Sequence, residues 1–78
     1  MSLFEQLRDT MAATLKISPD LIKEDSTAED ITAWDSLGHV NLMMALEQTF
    51  DLFLDVEDFA KLNTVPAILE CLRENGAG

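Results

Sequence analysis

Leu3, Leu7, Met11 and Leu15 stand four residues apart, with Phe4 widening the stripe, while Glu5, Gln6, Asp9 and Lys16 fall on other faces. An apolar face repeating at this interval is the mark of an amphipathic helix. Ser2 and Glu5 have capping-box spacing, so the pattern predicts a helix from Leu3 to about Leu15. A second helical pattern runs from Asp35-Ser36 to about Phe50, with His39, Leu42, Met43, Leu46 and Phe50 in one stripe. Asp35 is a strong N-cap, and its charge suits the positive end of the helix dipole. Leu37, Val40 and Met44 make a second stripe on that helix. One core-facing side does not need both stripes, so the second is a candidate for touching another molecule. Asp55 caps a short third helix with Phe59 and Leu62 turned inward. Thr64 caps a fourth, in which Pro66 sits in the first turn, where its missing N–H costs nothing. Val65, Ile68, Leu69 and Leu72 are its inward stripe, and Asn75-Gly76 is its stop.

Between the first two helices lies a long connection, Lys16 to Asp35. Ser18-Pro19-Asp20 reads as the start of one short turn. A loop of this length in a compact domain is pinned by its own side chains or carries function. Ile22, Ile31 and Trp34 are the expected pins. Leu52-Phe53-Leu54 is too short for a strand and has no partner run. The expectation is an all-α fold, a small four-helix bundle with one long loop, forming a single domain over residues 1–78.

Charge narrows the function. Fifteen acidic and five basic side chains give a formal net charge of −10. Such a polyanion repels nucleic-acid phosphates and anionic lipid, so neither is an expected partner, whereas basic protein surfaces are. A hydrophobic fraction of 47% in ordered periodicity argues against a disordered acidic tail. Cys71 is the only cysteine, which rules out an internal disulfide. No signal-peptide pattern and no membrane-length apolar run is present, so a cytoplasmic protein is expected; the chain is also expected to be a monomer. A domain this short buries only about 60% of its unfolded surface. That leaves little body for a catalytic pocket, and a carrier or binding module is favoured over an enzyme. Ser36 and His39, three apart, could face each other as a hydrolytic dyad, but neither an oxyanion hole nor a third orienting residue is evident. The acidic run Asp51 to Asp58 lacks the central Gly and regular ligands of a calcium loop, so no metal site is expected. Cys71, beside the inward stripe of the last helix, reads as a half-buried, inert thiol.

The run Trp34-Asp35-Ser36-Leu37-Gly38-His39-Val40, then Leu42, Met44-Ala45-Leu46-Glu47 and Phe50-Asp51, resembles the acyl carrier protein family. The likeness continues through Leu62 and Thr64-Val65, so it spans essentially the whole chain. It implies that Ser36 accepts 4′-phosphopantetheine through a phosphodiester, with Asp35 and Leu37 completing the attachment motif. Acyl groups would then ride on the thiol of the arm. It also implies a phosphopantetheinyl transferase, a ligase loading acyl or aminoacyl groups, and a downstream acyltransferase or synthase as partners. Leu37, Val40, Met44 and Glu47 are the candidate contacts with them, although Val40 is expected to lean toward core or pocket lining. Carriers of fatty acid synthesis usually have acids at the second and fifth positions after the serine. Here Gly38 and Asn41 stand there, and Gln48 follows Glu47. This departure points to a specialised pathway. Aminoacyl carriage and housekeeping fatty acid synthesis are the alternatives, with an unmodified adaptor behind them. Gly38 costs a helix about 1 kcal/mol relative to Ala, and the sequence offers no local reason for it; the close approach of a partner's backbone is one candidate.

Overall fold

A computed structural model describes residues 2–76. Helix α1 spans Leu3–Leu15, α2 Ser36–Phe50, α3 Val56–Lys61 and α4 Val65–Glu74, with one 3₁₀ turn at Pro19–Leu21. Among the described residues there is no strand; the only bridge pairs Thr27 with Thr64. The fold is thus the expected four-helix bundle.

Each helix begins where its cap requires. Ser2 and Glu5 exchange both capping-box bonds, and Asp55 and Asp58 do the same for α3. Asp35 and Thr64 accept from the N–H groups of Gly38 and Ala67. The ends of α1 and α2 are closed differently. Lys16 and Asp51 sit in the left-handed region, at φ 58° and 52°. Each donates its backbone N–H back into the preceding turn.

The core forms from the four inward stripes. Leu7, Met11, Leu42, Met43, Leu46, Val65, Ile68 and Leu72 are almost completely buried. Helix α1 packs on α2 and on α4, and α3 on α2. Burial of this kind, roughly 25 cal/mol per Å² of apolar surface, is what offsets the chain entropy lost in so small a domain. Phe50 and His39 only flank this core, so the inward stripe of α2 is narrower than its spacing predicts. Phe59 is half-buried as well.

The long loop is held at both ends of its course. Ile22, Ile31 and Trp34 are buried as expected. The backbone does the rest: Val65 N–H donates to the Ser26 carbonyl at 2.8 Å, and Ala28 N–H to the Asn63 carbonyl at 2.9 Å. The buried Ser26 hydroxyl accepts from Lys23 N–H at 2.8 Å. The loop is therefore fastened to the corner between α3 and α4, and its last residues deliver Asp35 to the start of α2.

Candidate functional site

Ser36 is the first residue of α2 and is exposed. The first turn of a helix leaves its N–H groups without intrahelical acceptors. One of these, that of Gly38, is taken by the cap, and the helix's own bonds begin at His39. Gly38 N–H donates to Asp35 Oδ1 at 2.8 Å, and His39 N–H to the Asp35 carbonyl at 2.7 Å. The N–H groups of Ser36 and Leu37 have no partner among the described residues. A phosphate ester on Ser36 Oγ would meet them and the positive end of the dipole. The residues therefore fit a phosphorylated arm.

Gly38 has a structural reason that the sequence did not reveal. A Cβ at this position would lie 2.6 Å from the Ala33 carbonyl oxygen and 2.9 Å from Leu15 Cδ2. The end of the loop and the end of α1 both press on α2 here, and only hydrogen fits between them. The cause lies within the fold and requires no partner.

His39 is fully engaged. The Trp34 indole N–H, which can only donate, gives a hydrogen bond to His39 Nδ1 at 2.9 Å. The proton must then be on Nε2, which donates to the Phe59 carbonyl. The two rings stack with centroids 6.1 Å apart. Neither nitrogen is free to take a proton from Ser36, so the hydrolytic dyad is absent. Instead the imidazole bridges the loop, α2 and α3. Above this bridge lies an open recess of about 380 Å³ that reaches from Ser36 to Phe59, Ala60 and Asn63.

The second stripe of α2 faces solvent. Leu37 is 72% exposed and Met44 50%. Val40, expected to lean inward, is 42% exposed and belongs with them, because the core is already filled by Leu42, Met43 and Leu46. Phe53, between α2 and α3, and Val56, the first residue of α3, are also exposed, and the two stripes of α2 say nothing of either. Glu47 is not a free rim charge. The left-handed turn at Asp51 brings the chain back, and the Glu47 carboxylate accepts from Leu54 N–H at 3.0 Å. It closes the connection between α2 and α3.

Charge is distributed unevenly. Residues 24–60 hold ten of the fifteen acids and none of the five basic side chains, so the whole formal charge of −10 falls on the segment containing Ser36. The remainder balances. Cys71 is half-buried on α4, and burial, with Asp58 and Glu74 nearby, pushes its thiol above the ordinary range. No group of three or more metal-ligating side chains occurs among the described residues, and no described helix is long and apolar enough to cross a membrane.

Comparison with known proteins agrees with this geometry. The sequence profile of the phosphopantetheine attachment site family matches residues 5–72. An acyl carrier protein of Bdellovibrio bacteriovorus is 34% identical over 97% of both chains. One from Sulfurovum is 41% identical over 83% of this chain and 87% of its own. One from Wolinella succinogenes is 33% identical over 96% and 99%. Members of this family are carriers rather than catalysts, bear 4′-phosphopantetheine, and serve phosphopantetheinyl transferases and acyl-processing enzymes. With an exposed serine opening α2 inside the matched region, this chain belongs to the acyl carrier protein family.

Proposed function

We propose that Ser36 Oγ is the attachment point and that the chain carries acyl intermediates for a specialised pathway in the cytoplasm, as a single-domain monomer. The observation that carries the assignment is an exposed serine at the first position of α2, with two unclaimed N–H groups beside it. In the loading step Ser36 Oγ gives its proton to a base of the transferase and bonds to phosphorus. The pyrophosphate bond of coenzyme A breaks, and adenosine 3′,5′-bisphosphate leaves. Once attached, the arm supplies a thiol on which acyl groups are held as thioesters. The protein's own part is to hold Ser36 outward, steady the phosphate with backbone N–H groups, and offer Leu37, Val40 and Met44 to a partner. Met44 suits a surface that must fit more than one enzyme.

Incubation with a broad-specificity phosphopantetheinyl transferase and coenzyme A, followed by intact mass spectrometry, tests the site. Wild type should gain the mass of one arm. Ser36→Ala should gain nothing and should melt as wild type does, since surface substitutions stay within about 0.5 kcal/mol. An Ala variant that still gains the arm would sink the assignment.

The specialised role is supported by the uncharged Gly38, Asn41 and Gln48 on α2. Gly38 cannot accept a side chain, so the informative variant is Asn41→Glu. It should improve service to fatty acid synthesis enzymes. If wild type already serves them at full rate and the variant changes nothing, housekeeping fatty acid synthesis is the better reading. Aminoacyl cargo is the other alternative.

A further inference from the structure

We infer that this carrier keeps its cargo outside the bundle, and that its substrates are therefore short or polar acyl groups, aminoacyl groups included. The inference rests on Ser36 as the attachment point. The free energy of leaving an alkyl chain in water grows with each methylene, so a carrier of long chains must shelter them. The recess that Ser36 itself lines leads toward Phe59, Ala60 and Asn63. Its inner wall is the bridge described above. Trp34 is 3% exposed and donates to His39, which donates to the Phe59 carbonyl. A chain passing between α2 and α3 would have to break both bonds and leave an indole N–H and a backbone carbonyl unpaired. Leu42, Met43 and Leu46, in the core beneath α2, are at most 1% exposed, and core side chains generally interdigitate with few voids. The recess itself is lined in part by Asp35, His39 and Asn63. Asp35 and Asn63 can meet the amides of an arm or a polar cargo, whereas an alkyl chain gains little from them.

The test uses the full chain, loaded at Ser36 from acetyl-, octanoyl- and dodecanoyl-coenzyme A. The chain's only tryptophan gives a single indole N–H resonance, which reports directly on the bridge. The three forms should melt within about 4 °C of one another and leave that resonance unmoved. His39→Ala removes both bonds and should let the melting temperature climb with chain length; Trp34→Phe, which keeps an aromatic ring but loses the N–H, is the second such variant. A rise above about 4 °C from acetyl to dodecanoyl in wild type overturns the inference. A rise without movement of the indole resonance does so equally, and would place the chain in another groove, such as that of Ile17, Leu21 and Ile31. Variants that fold yet show no dependence on chain length overturn the role of the bridge. Absence of any arm mass on Ser36 overturns the reading beneath it, an outcome distinct from all of these.

Discussion

At position 38 helix propensity and packing oppose each other, and their sizes decide the outcome. Alanine would gain about 1 kcal/mol of propensity over glycine. Its methyl would meet the Ala33 carbonyl oxygen at 2.6 Å, and backbone cannot swing aside as a flexible side chain can. Overpacking of this kind costs about 1–3 kcal/mol. Gly38→Asp adds further atoms without the propensity gain of alanine, so it should lower stability by about 1–3 kcal/mol in urea titration; an unchanged midpoint would show that the loop yields. Cys71 gives a second expectation at this scale. Because burial and the nearby Asp58 and Glu74 raise its pKa, its thiolate fraction is small at neutral pH and grows only as pH climbs past the ordinary thiol range. Alkylation of the unmodified chain by iodoacetamide should therefore be slower than that of free cysteine at pH 7 and should approach it at high pH. A rate equal to free cysteine at pH 7 would contradict the burial.

Helices were legible wherever their signal was local. Ser2 with Glu5, Asp35, Asp55 and Thr64 each marked a start within four residues of the groups they cap, and inward spacing picked out Leu42, Met43, Leu46, Ile68 and Leu72. Bonds that join distant residues left no such trace. Nothing in periodicity ties Ser26 to Val65, Ala28 to Asn63, or His39 to Phe59, since each depends on where α3 finishes relative to the loop. The need for glycine at 38 was hidden for the same reason, because Ala33 and Leu15 meet it only after the chain has folded. The left-handed end of α2 was equally silent. There Asp51 adopts a backbone conformation that glycine takes without strain, and its negative charge lies at the unfavourable end of the helix dipole. Asp51→Gly should raise stability by about 1 kcal/mol, read as a higher denaturation midpoint with unchanged slope. A loss of stability would mean that the Asp51 side chain has a favourable role there.

Over the whole molecule, attraction between charges does little to offset repulsion. The ion pair found among the described residues, Arg8 with Asp9 at 3.2 Å, is partly exposed and worth little. Ten acids lie together in residues 24–60 without a basic side chain among them. Screening should relieve that repulsion. The melting temperature should rise from about 10 mM to 150 mM salt, as the Debye length falls from roughly 30 Å to 8 Å. A flat response would show that repulsion does not limit stability. The same lopsided charge bears on how the carrier meets an enzyme. A body charged mainly on one stretch of its chain has an electric dipole, and in the field of a cationic surface it feels a torque as well as a pull. Within about a Debye length of contact that torque would turn the acidic loop, α2 and α3, the part of the chain that holds Ser36, toward the cationic surface. The carrier then spends less of each encounter tumbling in wrong orientations, without a single acid having to form a lasting bond.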